Sequence, residues 1–151
     1  MLKPSKKLLF AIEAVLDIAY HAGGEPVQSR EITRRQGIPR RYLEQTLQHL
    51  VRSGILTGVR GPRGGYRLAR ERRRISVGEI VRVVRAMESP EDPFAEIPAS
   101  ELGKDVVRPM WMDLQGEVMD RLENITVDDL CMRAYQGGLP SEASSKMDFT
   151  I

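Results

Sequence analysis

Residues 40–70 read RRYLEQTLQHLVRSGILTGVRGPRGGYRLAR, and this stretch decides the fold. Leu43, Leu47, Leu50 and Val51 recur at helical spacing and predict one buried face. The opposite face carries Arg40, Arg41, Glu44, Gln45 and Gln48, side chains of the kinds that hydrogen-bond base edges and phosphates. Gly54 stops this helix. Ile55, Thr57 and Val59 then alternate as a strand, and Tyr66 and Leu68 alternate on its return. The tip between them is RGPRGG, residues 60–65. Its glycines let a backbone approach a sugar–phosphate chain, while Arg60 and Arg63 supply charge and groove hydrogen bonds. The pattern is a recognition helix followed by a β-hairpin wing.

Towards the N-terminus, a short helix is predicted from about Ser29 to Gln36 with Ile32 inward. Gly37-Ile38-Pro39 makes a tight turn, with Pro39 at the first position of the next helix. Helix, turn and helix form a helix-turn-helix pattern, which becomes specific once the wing is attached. Before it, a helix is expected from about Lys6 to Ala22. Leu8, Leu9, Ile12, Val15, Leu16 and Ala19 face inward, and Gly23-Gly24 ends it. Ser5 reads as its N-cap. Ser5 and Lys6 also stand among the candidate DNA contacts, although for Lys3, Lys6 and Lys7 simple solvation is an equal alternative.

The formal net charge of +2 conceals an uneven distribution. Residues 30–74 hold thirteen arginines against Glu31, Glu44 and Glu71, a net of +10, whereas residues 75–151 carry a net of −8. A block of one sign points to a polyanion-binding face. Cys131 is the single cysteine, so no disulfide can form within the 151 residues, which fits a reducing compartment and a cytoplasmic location. The opening MLKPSKKLLFAIEAVLDIAY has the basic start and apolar middle of a signal peptide. Glu13 and Asp17 interrupt it at helical intervals, so it reads as an amphipathic core helix. No apolar run of about 18 residues is present to span a membrane.

After the wing, Glu71-Arg72-Arg73-Arg74 reads as a charged linker, and Ser76-Val77-Gly78-Glu79 as a capping box. It opens a helix with Val77, Ile80, Val81, Val84 and Met87 on its apolar face. Residues 89–105 contain three prolines and five carboxylates and are expected to form a long loop. A long helix is predicted from about Asp105 to Asn124. Val107, Trp111, Leu114, Val118, Leu122 and Ile125 form a stripe suited to packing on its copy in a second subunit. The alternative is an intrachain core helix. Thr126 and Asp129 cap a short last helix through Tyr135, and the tail from Gln136 is expected to be mobile.

No nucleophile–base pair, Walker loop or dinucleotide fingerprint is present, which argues against an enzyme. His21 and His49 show no metal-ligand spacing, and the acidic 89–105 segment lacks EF-hand spacing. Cys131 reads as a small buried hydrophobe. Its functional alternative is a redox thiol activated by Arg133 or a helix N-terminus.

Six motifs occur in order: SRE-I, GIPRRYLEQTLQHLVRSGIL, VRGPRGGYRLA, ISVGEIV, a tryptophan opening a long helix, and LENITVDDL. In this the chain resembles the Rrf family of bacterial winged-helix transcription regulators over about residues 1–135. The resemblance implies a homodimer with crossed long helices that reads a two-fold-symmetric operator. It matches Arg41, Tyr42, Glu44 and Gln45 to the helix entering the major groove, and Arg60 to the wing arginine reaching the minor groove. Glu44 would specify sequence by accepting from a cytosine amino group. Its alternative is a surface pair with Arg40 or Arg41. Arg63 stands where the family often has glycine.

Cluster-binding members carry three cysteines before the long helix, usually with a histidine near the tryptophan. Here residues 89–105 contain no cysteine, and Arg108 stands three before Trp111. The resemblance is therefore to a branch without an iron–sulfur cluster, and no cofactor is expected.

The expected fold is mainly α with a small β-hairpin: a winged helix-turn-helix at 1–88, a loop at 89–105, dimerisation helices at 106–135 and a flexible tail at 136–151. The expected function is a homodimeric repressor bound to a palindromic DNA operator and answering to an effector protein or small molecule. The other class left open is a protein-interaction co-regulator of a metabolic enzyme, with secondary DNA binding.

Overall fold

A computed structural model describes residues 3–88 and 100–142. Its elements run α1 (Lys6–His21), α2 (Ser29–Gln36), α3 (Arg40–Arg52), β1 (Leu56–Val59), β2 (Gly65–Leu68), α4 (Val77–Met87), α5 (Arg108–Glu123) and α6 (Val127–Gln136). The strands pair antiparallel, Leu56 opposite Leu68 and Val59 opposite Gly65. The chain is mainly helical with one hairpin, as its periodicities predict.

The helix α1 is the axis of the core, with α2, α3, α4, α6 and β2 all packed on it. Ala11, Ala14, Val15, Ile18 and Ala19 are buried, the alanines letting neighbouring helices come close. Leu43, Leu47 and Leu50 meet them from α3, and Ile80 and Val84 from α4. One expectation fails in α1: Leu9 points outward and is 45% exposed. The buried face is instead centred on Ala11, Ala14 and Ile18, and it includes a charged residue, Asp17.

Local signals set the element boundaries. Ser5 accepts from the Leu8 N–H at 3.2 Å and caps α1. The C-terminus of α3 closes with Gly54 N–H on Val51 O at 3.1 Å and Ile55 N–H on Leu50 O at 3.0 Å, with Gly54 left-handed. Pro39 is the N-cap of α3 rather than its first residue, so α3 begins at Arg40. Ser76 with Glu79 and Thr126 with Asp129 form two capping boxes. The two caps also pair with each other: Val77 N–H reaches Ile125 O and Val127 N–H reaches Ile75 O, both at 2.8 Å. That bridge ties the start of α4 to the turn between α5 and α6.

The wing strand departs from simple alternation. Ile55 and Leu56 are both buried while Thr57 and Val59 are exposed, so only the base of the hairpin enters the core. The segment expected as a loop at 89–105 is helical from residue 101, its part at 89–99 lying outside the described residues. Gly103–Val107 form a π-helical stretch running into α5. Pro109 follows one residue after it, beyond Arg108. A proline there cannot donate to the Asp105 carbonyl and would crowd it, and the wider turn relieves that clash. Of the tail expected to be mobile, residues 137–142 pack back onto α1 and α2, and its part at 143–151 lies outside the described residues.

Candidate nucleic-acid interface

The outer face of α3 is open. Arg40, Arg41, Glu44, Gln45 and Gln48 are all exposed, because the 3.6-residue period that buries Leu43, Leu47 and Leu50 turns them outward. Thr46 faces inward, and its hydroxyl donates to the Tyr42 carbonyl at 2.7 Å. Tyr42 is half-buried, its ring centroid 6.4 Å from that of Phe10. The Arg41 guanidinium lies 4.9 Å from the Tyr42 ring and reaches the phenol oxygen at 3.0 Å. Arg40 Nε donates to Glu44 Oε1 at 2.9 Å, so the surface pair considered from the sequence is formed. Both side chains remain largely exposed, and such a pair contributes only about 0.3–0.5 kcal/mol. Glu44 is therefore available to a stronger donor.

The wing is pinned at its base. Val27 and Tyr66 exchange backbone hydrogen bonds at 2.9 and 2.8 Å. A Cβ on Gly65 would stand 2.5 Å from the Val27 carbonyl oxygen, so only glycine permits this approach. Gln28 Nε2 donates to Pro62 O at 3.3 Å and tethers the tip. Arg60 and Arg63 project from that tip into solvent.

Between the wing and the helix pair lies a groove of about 1010 Å³. Arg30 at the start of α2, Arg40 at the start of α3 and Arg60 from the wing all line it. Arg30 was not singled out in the sequence, where it is one arginine among thirteen; its place in the first turn of α2 is the signal that marks it. Thr33 also lines this groove, and its buried hydroxyl has no hydrogen-bond partner among the described residues.

The arginine-rich block divides into two populations. Arg34 and Arg35 pair with Glu142, Arg35 also with Asp17, Arg70 with Glu79, Arg72 with Asp128 and Arg73 with Glu71. These cations are answered by the chain's own carboxylates. Burial raises the Glu79 carboxyl, but the Ser76 N–H and Arg70 outweigh it and hold it below the usual range. Arg30, Arg41, Arg52, Arg60, Arg63, Arg67 and Arg74 make no ion pair with a described residue; of these, Arg30 and Arg60 line the groove, and Arg60, Arg63 and Arg67 line a cleft at the wing tip. The 71–74 linker, basic in sequence, is largely neutralised.

Ser5 and Lys6 were grouped with these contacts. Lys6 is exposed. The Ser5 hydroxyl is already occupied: besides capping α1 it donates to Glu88 Oε1 at 2.7 Å, tying the start of α1 to the end of α4.

The proposed dimer stripe lies along α5, which has no buried residue. Val107, Leu114 and Val118 are exposed, while Trp111, Leu122 and Ile125 are half-covered. The helix packs on α4, where Arg82 pairs with Glu123. Cys131 lies in the core at 1% exposure. Burial pushes its thiol up, with Asp128 adding and only Arg72 opposing, and Arg133 plays no part. That environment favours the packing role over a reactive thiolate.

A metal centre would need a donor set, and none is assembled among the described residues. The sequence has one cysteine, which is this core residue, and no group of three or more His, Cys, Asp or Glu among the described residues could hold an ion. No helix among the described residues is long and apolar enough to cross a membrane.

The chain matches the model of the Rrf2 family, described as an iron-dependent transcriptional regulator, over residues 4–133. It is 37% identical over 123 residues to the HTH-type transcriptional regulator IscR of Pectobacterium atrosepticum, covering 80% of this chain and 74% of that protein. It is 34% identical to IscR of Vibrio cholerae, covering 82% and 71% of the two chains. Among solved structures it resembles T. potens IscR with a TM-score of 0.73 and 33% identity, covering 92% of this chain and 93% of that one. It also resembles CymR, the global cysteine regulator of B. subtilis, with a TM-score of 0.70 and 28% identity, covering 88% and 98%.

Proposed function

The chain belongs to the Rrf2 family of transcriptional regulators, and from that premise we propose that it works as a homodimeric repressor in the cytoplasm. It reads a palindromic promoter operator and excludes polymerase from it. The observation that carries this reading is the convergence of Arg30, Arg40 and Arg60, from two helices and a wing, on one groove. Each recognition helix enters a major groove, with Glu44, Gln45 and Gln48 facing base edges. Arg60 and Arg63 reach the flanking minor groove, and Arg30 holds the phosphate backbone.

The dimer is supported by the exposed Leu114 and Val118 of α5 and Val107 just before it, apolar surface that a second copy would cover. To read two half-sites in successive major grooves, the paired recognition helices would have to stand about 34–36 Å apart. The single core cysteine supports a regulator that works without an iron–sulfur cluster, although its family is described as iron-dependent.

Capture of fragmented genomic DNA by the purified protein, followed by sequencing, tests the proposal. Enrichment of one inverted repeat at a few promoters is expected. Salt-sensitive capture with no shared motif would reduce the function to non-specific binding by the arginines.

A further inference from the structure

Residues 137–142 do not trail away after α6. Gly138 N–H bonds to Tyr135 O at 3.0 Å and Leu139 N–H to Ala134 O at 3.1 Å, with Gly138 at φ +74°. This closing turn, followed by Pro140, sends residues 139–142 back across the end of α1. Three hydrogen bonds fasten them there. The Tyr20 hydroxyl donates to Leu139 O at 2.6 Å, the Ser141 hydroxyl to Tyr20 O at 2.7 Å, and the Glu142 N–H to His21 Nδ1 at 3.1 Å. Tyr20 O is one of the carbonyls a helix end leaves unpaired, so the strap completes α1.

Glu142 then reaches the helix-turn-helix. Its carboxylate accepts from Arg34 at 3.0 Å and from Arg35 at 2.8 Å. Arg35 also makes two bonds, at 2.9 and 2.8 Å, to Asp17, whose side chain is wholly buried. Gln36 Nε2 adds a third to Asp17 at 2.8 Å. The last turn of α2 is thus gripped between α1 and the strap. The grip matters because α2 has only eight residues and buries one apolar side chain, Ile32. A helix this short does not hold itself together.

We propose that residues 137–142 are a latch on the helix-turn-helix. Docked, the latch holds α2 against α1 and, through the 37–39 turn, keeps α3 in its reading position. Released, it loosens α2, and specific binding falls while arginine-driven binding remains. The latch is the continuation of α5 and α6, so a signal that shifts those helices acts directly on the operator-reading unit. The consequence for DNA rests on the function proposed above, whereas the docking itself does not.

The test compares the full chain with Glu142→Gln and with a chain ending at Gln136. It reads amide exchange in α2 and α4, and binding to the captured operator and to a scrambled duplex. The shortened chain should exchange its α2 amides about tenfold faster with α4 unchanged, since local opening is set by local contacts. Operator affinity should fall about fivefold or more while the scrambled duplex, held by charge alone, stays within about twofold. Glu142→Gln should shift both in the same direction by less, and it decides the matter if the shortened chain exchanges throughout. Unchanged α2 exchange overturns the latch. Faster exchange with unchanged operator affinity overturns its coupling to DNA. Faster exchange in a protein that captures no operator upholds the latch and removes the DNA-reading function instead.

Discussion

The roles proposed for Arg60 and Glu44 differ, and substitution separates them. Arg60 stands at the wing tip with no ion pair to a described residue, so its charge is free for a phosphate or a narrow groove. Arg60→Ala should weaken operator binding by about 1–3 kcal/mol in a titration at fixed salt. Unchanged affinity would remove the wing from the mechanism. Glu44 is a carboxylate held next to Arg40, repelled by phosphate and suited to a base amino group. Glu44→Ala should broaden the set of selected sequences more than it lowers affinity for any one of them. A uniform loss across a randomised library would instead reduce Glu44 to a partner of Arg40. Asp17 is a third case: an acidic residue inside the core, satisfied by Arg35 and Gln36. Removing Asp17 takes away the buried acceptor of Arg35 and Gln36, although Glu142 still answers the Arg35 charge, so Asp17→Ala should destabilise the fold by about 1–3 kcal/mol in urea denaturation.

Among the elements, α1, α2 and the strap share a titrating group. Burial lowers the His21 pKa from its ordinary 6.5, Asp17 and Glu142 push it up, and Arg35 and Arg34 push it down, with burial prevailing. The folded ring is neutral where the unfolded chain already binds a proton. Stability from His21 is therefore complete above about pH 6.5 and is lost as the pH falls through that value towards the lower folded pKa. Urea midpoints should drop between pH 7.5 and 5.5, and His21→Asn should flatten the drop while keeping an acceptor for the Glu142 N–H. An equal drop in the variant would place the sensitivity elsewhere. Glu79 and Glu142, held below the usual carboxylate range, lose their contribution only at lower pH, from about 4.5 downward. The helices of the winged unit were legible from periodicity and caps, since Ser5, Ser76 and Thr126 all cap where their sequences place them. The wing base was not, because Ile55 and Leu56 are buried together where the hairpin leaves the core.

For the whole molecule, α5 is the element on which the proposed assembly rests. Its apolar side chains rest on α4 at one edge and face solvent at the other, and a second copy is the occupant proposed here. Leu114→Glu places a charge in that surface without disturbing a buried residue. Light scattering should show the particle fall from twice the chain mass to 17.0 kDa, with loss of two-site operator binding. A variant that keeps the wild-type mass would place the interface elsewhere.

The sequence alone determined the winged helix-turn-helix and the polar side chains exposed along α3. Those features rest on local rules: the spacing of Leu43, Leu47 and Leu50, the capping pairs, and the glycines of the hairpin. Only the tertiary structure decided which charges were free. Whether an arginine is available depends on carboxylates far away in the chain, as Arg34 and Arg35 depend on Glu142 and Arg72 on Asp128. The same holds for the strap, whose glycine-, proline- and serine-containing residues look mobile in sequence. They are held because folding brings the end of α1 and the last turn of α2 within hydrogen-bonding distance of them.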